Sequence, residues 1–181
     1  MLEAIFLIRH ATPDRATGVP YQIHPGPPLT EAGRREAREM AAWLASQGVE
    51  RVLCSPFERA RQTAAPIAEL LGLEIGYVEG LREAAPHEQE SVTRDRIAEL
   101  YAQLEDSPLR RVALVSHGAP IKALLQHTTQ GKIELAQHVY DYGNCSPTAG
   151  VWHGTRFGPL WRWELAFRPG QAQAAAAPVR L

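Results

Sequence analysis

The chain has 181 residues, 45% of them hydrophobic and 22% charged, which is enough for one domain with a full core. Lys and Arg total 19 against 20 Asp and Glu, and the net charge of -1 argues against a general nucleic-acid or anionic-membrane binder. A local basic pocket is still open to it: two of the 19 are lysines, Lys122 and Lys132, which leaves 17 arginines, whose forked donors suit oxyanions.

Residues 3–8 are a short apolar run that predicts a buried strand, and the run ends abruptly in Arg9-His10. Residues 11–29 are rich in Pro and Gly and predict a loop. Thr30 is placed to cap the helix "EAGRREAREMAAWLASQ", which Gly48 closes. Glu50–Cys54 predicts a second strand. Ser55-Pro56 then opens a helix running to about Leu71, with Ser as cap, Pro at the first position, and a kink or break expected at Pro66. Residues 74–78 predict a third strand, and 88–106 a helix with Val92, Ile97, Leu100, Tyr101 and Leu104 roughly on one side. "RRVALVSHG" at 110–118 is a strand ending in His117, followed directly by the helix "APIKALLQH". "TAGVWHG" and "LWRWELAF" predict a late strand pair. Residues 1–168 are expected to form a single domain, and 169–181 a low-complexity tail to which no function is assigned.

Strands alternating with helices indicate an α/β domain with a largely parallel sheet. Functional groups in such sheets gather beyond the carboxyl ends of strands. Arg9-His10 ends one apolar strand and Ser116-His117 another, so both histidines emerge at one rim if the strands are neighbours. Taken singly, a His after a strand is a structural residue more often than a reactive one, and Arg59 fits a solvated helix face. Two arginines and two histidines together make a positive pocket suited to a tetrahedral dianion.

"LIRHATP", "SPFERARQTA" and "ALVSHGAPIKALL", with "PLTEAGRREA" at 28–37 and "NCSPT" at 144–148, resemble in order and spacing the signatures of the histidine phosphatase superfamily, the phosphoglycerate-mutase-like proteins. The resemblance spans roughly residues 3–168. It implies a three-layer sandwich around a mostly parallel central sheet and a metal-independent phosphatase with no cofactor. It places His10 as the nucleophile that becomes phosphorylated, Arg9 and Arg59 on the phosphoryl oxygens, and His117 as a second histidine donating to them. Glu83, in "GLREAAP", falls where many members keep the proton donor to the leaving group, and Gln22 where some keep a phosphate-binding glutamine. In that scheme His10 attacks as a neutral imidazole while Arg9, Arg59 and a protonated His117 hold the charge.

The chain departs from the family at two places. "LREAAPHEQES" lacks the "G-x-W-E-G" segment common after the acid, so Glu88 and Glu90 compete with Glu83 for that role. "ATPDRATG" replaces "G-E-T-x-W-N", with Ala16 at the spacing of the supporting Asn. His24, His87, His127, His138 and His153 show no compact metal spacing and read as surface or structural, His87 being the one to watch beside Glu83. No Walker or Rossmann glycine motif is present, and the four tryptophans read as core or half-buried. Cys54 and Cys145 form no disulfide framework and the start of the chain carries no charged leader, so a cytoplasmic protein is expected.

The expectation is hydrolysis of small phosphomonoesters, the small phosphorylated substrate being the only partner foreseen, with no nucleic acid, no membrane and no assigned oligomeric state. Phosphoglycerate-mutase-type transfer and protein phosphohistidine hydrolysis are the enzymatic alternatives, and a non-catalytic phosphate-binding scaffold is the alternative from outside enzymology.

Overall fold

A computed structural model describes residues 1–170, so nearly all of the tail expected over 169–181 lies outside the described residues. The first strand, β1 (Ala4–Arg9), is buried at all six positions. Its unbroken apolar run is what a strand covered on both faces requires. Ala4, Phe6 and Ile8 face one core, and Ile5 and Leu7 the other. Five more strands follow: β2 (Arg51–Cys54), β3 (Ile75–Tyr77), β4 (Arg111–Ser116), β5 (Val151–Phe157) and β6 (Leu160–Phe167). They form one sheet in the order β3-β2-β4-β1-β5-β6. The first four in that order are parallel, and the hairpin β5-β6 runs antiparallel at the edge.

Helices α1 (Glu31–Leu44) and α2 (Glu58–Leu71) cover one face, through Ala37, Met40, Ala41 and Leu44 and through Ala60, Ala64 and Ile67. Helices α3 (Glu90–Glu105) and α4 (Gly118–Thr128) cover the other, through Ile97, Leu100 and Leu104 and through Ile121, Leu124 and Leu125. The result is the expected three-layer α/β sandwich with a mostly parallel sheet.

Several local expectations are corrected. Pro66 does not break α2, which runs through it as one helix. The loss of one backbone bond, worth about 3 kcal/mol, is outweighed by the apolar face buried on both sides of it. Nor does Ser55 cap that helix: Phe57 occupies the cap, and the Ser55 hydroxyl turns inward to His117 Nε2 at 2.8 Å. Thr30 does cap α1, accepting from the Gly33 backbone N–H at 2.9 Å. Val92 is exposed and Tyr101 half-buried, so the core face of α3 is carried by Thr93, Ile97, Leu100 and Leu104. Residues 129–150, between α4 and β5, hold two short 3-10 turns, Leu135–Gln137 and Asp141–Gly143, that the sequence did not announce.

Candidate active site

Parallel pairing of β1 with β4 sets Arg9 opposite Ser116, so the residues that follow, His10 and His117, leave the sheet side by side. Their rings lie 5.2 Å apart. Arg59, on the first turn of α2, enters from one face, and Glu83 enters from the segment after the 3-10 turn Glu79–Leu81. All five are buried, Arg59 and His117 completely. Arg59 Nη2 donates to Glu83 Oε2 at 3.2 Å, and that same oxygen is 3.6 Å from His117 Nδ1. Arg9 Nη1 donates to the Ser146 carbonyl at 2.6 Å and pairs with Asp141 Oδ2 at 2.9 Å.

The protons of both histidines follow from their partners. His10 Nδ1 lies 2.8 Å from the Ala11 carbonyl, which can only accept, so Nδ1 carries the proton and the lone pair is on Nε2. His117 Nδ1 faces the Glu83 carboxylate at 3.6 Å, which favours the ring proton on Nδ1, with Nε2 accepting from the Ser55 hydroxyl at 2.8 Å. Burial holds the His10 pKa well below the usual imidazole value, with the Arg59 charge next in size. The same two causes, in the same order, lower His117. In the empty site burial and Arg59 thus favour a neutral His117 that donates through Nδ1–H. Burial lowers the Arg59 guanidinium as well, opposed by Tyr21 and Glu83.

Glu88 and Glu90 are taken out of contention as the acid. Although burial works against it, hydrogen bonds from Thr93 and Arg82, then Ala85 and Arg96, bring the Glu88 carboxyl down to about 2. Glu88 clips the segment that carries Glu83, pairing with Arg82 at 2.6 Å and with Arg96 at 3.1 Å. Arg82 donates in turn to the Glu83 carbonyl and Arg96 to those of Gly80 and Arg82. Glu90 is exposed and pairs with Lys122. His87 is exposed, while His138 packs on Trp152 and His153 on Phe6.

Gln22 is exposed on the wall of a cleft of about 380 Å³ that also holds Glu83, His24 and Phe57. Its neighbour Tyr21 touches the nucleophile: the Tyr21 hydroxyl donates to His10 Nε2 at 2.9 Å. The Tyr21 ring lies 3.9 Å from the Arg59 guanidinium, and its carbonyl accepts from Arg59 Nη1 at 3.0 Å. Sequence reasoning missed Tyr21 and Asp141, for which no motif gave a signal. Thr63 was within sight in "RQTA": its Oγ1 accepts from the Ala11 N–H at 2.9 Å and donates to the Arg59 carbonyl at 2.7 Å, tying the loop after His10 to α2.

The fold also builds a donor set that no spacing revealed, with ligand atoms of His10, Glu83 and His117 all within 4.8 Å of one another. Two guanidinium groups stand against this set, so a dication entering it would meet Arg9 and Arg59. Among the described residues Arg9 Nε, Arg59 Nε and His117 Nδ1 are buried with no hydrogen-bond partner. Unpaired nitrogens on two fixed cations and a neighbouring histidine suit an oxyanion.

The model of the family described as histidine phosphatase superfamily (branch 1) matches residues 5–109, more than half of the chain. An uncharacterized phosphatase, PhoE, of Bacillus subtilis is 27% identical over 157 residues, 74% of this chain and 81% of its own. The probable phosphoglycerate mutase GpmB of Yersinia enterocolitica is 34% identical over 79 residues, which are 44% of this chain and 37% of that protein. Among solved structures, a mycobacterial glucosyl-3-phosphoglycerate phosphatase complexed with VO3 superposes with a TM-score of 0.76 at 22% identity, over 90% of this chain and 98% of the other.

Proposed function

From the premise that the chain belongs to the histidine phosphatase superfamily, we propose that it is a phosphatase that hydrolyses small phosphomonoesters through a phosphohistidine on His10. The observation that carries this reading is the buried pairing of a neutral His10, its Nε2 lone pair fixed by the Ala11 carbonyl, with unpartnered donors on Arg9, Arg59 and His117. Nε2 attacks phosphorus as the bond to the ester oxygen breaks, and the electron pair leaves on that oxygen. Glu83 gives the leaving oxygen its proton; the carboxyl group lies against Arg59 and His117 and so beside the same phosphorus. Water then attacks phosphorus, Glu83 takes its proton, the N–P bond breaks and phosphate departs. Arg9, Arg59 and His117 Nδ1–H take the charge that spreads over the equatorial oxygens, each donor worth on the order of 10²–10³ in rate.

Hydrolysis is favoured over mutase-type retention because His10 and Glu83 each line a cleft open to solvent. The position of Glu83 on Arg59 and His117 favours ester hydrolysis over a protein phosphohistidine phosphatase working without a carboxylate acid. Among the described residues no helix is long and apolar enough to cross a membrane. The two buried free thiols, Cys54 and Cys145, suit the cytoplasmic placement read from the sequence.

Rapid quench with labelled substrate tests the reading. It should trap an acid-labile, base-stable adduct that His10→Ala abolishes. An acid-stable adduct would point to an acyl or ester intermediate and overturn it.

A further inference from the structure

The nitrogen assigned to attack phosphorus is already engaged. The Tyr21 hydroxyl lies 2.9 Å from His10 Nε2, and because Nδ1 holds the ring proton, that hydroxyl must be donating along the Nε2 lone pair. Phosphorus has to approach along the same line. Tyr21 takes up Arg59 as well, its carbonyl accepting from Nη1 and its ring covering the guanidinium at 3.9 Å, while Nη2 is given to Glu83. We propose that Tyr21 is a positioning residue that occupies the phosphoryl place in the empty site, and that a phosphate ester enters by displacing it. The proposal rests on the reading of His10 as nucleophile.

The surroundings of Tyr21 fit displacement. Residues 15–20 and 22–25 are exposed, and the segment is tied down at its ends, by Asp14 N–H to the Pro28 carbonyl and by Glu58 N–H to the Pro25 carbonyl. Between those ties Tyr21 is held by the site's own groups and by Arg15, which lies 4.0 Å from its ring and 4.5 Å from that of Tyr142. Leaving therefore exposes little core. Ligand atoms of His10 and Glu83 already lie within 4.8 Å of one another, and the Tyr21 hydroxyl fills the line to Nε2. Attack and protonation need both groups on one phosphorus. An oxyanion taking the place of Tyr21 against Arg59 lies between them. The ordered empty state scales apparent affinity by the fraction of molecules in which Tyr21 is out of place.

Tyr21→Phe keeps the ring on Arg59 and removes the bond to Nε2. The inhibition constant for orthovanadate and the KM for an aryl phosphate should fall together, by about 2- to 10-fold, the typical net worth of one hydrogen bond. In protein labelled at the imidazole nitrogens, the His10 Nε2 resonance should move on this substitution alone, and in the unsubstituted protein on adding vanadate. An unchanged vanadate constant would overturn the proposal, as would a tenfold or greater loss of kcat at constant KM, which would make the hydroxyl part of the chemistry. Rapid quench separates the two readings: an adduct on His10 with unchanged vanadate binding defeats the displacement and leaves the phosphatase, whereas no adduct in either protein defeats both.

Discussion

His10 and His117 bring two imidazoles into a place that refuses their protons, and this has a consequence for stability. Both are held below the ordinary value of 6.5, by burial first and by Arg59 next. Once the pH falls below about 6.5 the unfolded chain takes up two protons that the folded site does not, so stability is full above that pH and declines beneath it. Asp141 and Glu88 act in a lower window. Burial alone would raise both, but Arg9 at Asp141 and the bonds from Thr93 and Arg82 at Glu88 leave them lowered, so their contribution is present above about 4.5 and is lost as the pH falls further. The urea midpoint should therefore begin to drop between pH 6.5 and 5, ahead of the carboxylate window. A midpoint that stays flat from pH 7 to 5 would contradict the burial of two neutral rings. The residues that could be named from sequence, Arg9, His10, Arg59, Glu83 and His117, are those that sit at strand ends or in strings of fixed spacing. Tyr21 and Asp141 could not be named. They reach the site from irregular loops, where no periodicity ties a residue number to a direction.

At the scale of elements, the strands and helices were legible because each is a burial pattern: five apolar positions in a row, Ala4 to Ile8, for a strand covered on both faces, a spaced stripe for each helix. Ser55 as cap and the break at Pro66 were misread for one shared reason, that a local rule was applied where tertiary contacts decide. A hydroxyl that could cap α2 is drawn to His117 instead, and the face that α2 buries outweighs a missing bond. Contact between elements also governs the loop after His10. The first turn of α1 presses on it so closely that a Cβ at Gly33 would collide with the Thr12 carbonyl oxygen. Glu36, one turn on, accepts from the Thr12 backbone N–H at 2.9 Å and its hydroxyl at 3.0 Å. Gly33→Ala should gain helix propensity yet lose about 1–3 kcal/mol net, because backbone rather than a flexible side chain must give way. Its kcat/KM should fall as well, since Thr12 is two residues from His10. A Gly33→Ala protein more stable than the parent and fully active would show that the loop is free of α1.

For the molecule as a whole, the question is what covers the pocket. Residues 84–116, the stretch between Glu83 and His117, go into the Glu88 clip, α3 and β4, and α3 is spent on the core it shares with α4. None of that chain is left over for a lid. The rim is made by the loop after His10 and by residues 129–150, and it is open enough to leave Val19, Ile23, Val139 and Tyr142 exposed. Inside, the unpartnered donors belong to Arg9, Arg59 and His117, which would hold the phosphoryl group common to every phosphomonoester. Discrimination of one ester from another needs buried polar contacts to the remainder of the molecule, and a site designed around such contacts rejects analogues lacking them by 10⁴ or so. The cleft beside His10, about 270 Å³, offers Arg15, Tyr142 and Thr148, of which Arg15 and Tyr142 are exposed. Exposed groups compete with water and separate ligands weakly. A panel of sugar phosphates, phosphoglycerates, nucleotides and aryl phosphates compared by kcat/KM should thus show modest preferences and release of inorganic phosphate throughout. One substrate favoured by more than about 10⁴-fold would require an enclosed, fully paired subsite that the rim does not supply. Isomerisation of a phosphoglycerate with negligible phosphate release would mean that water is kept from the phosphoenzyme, and that the open rim closes during turnover.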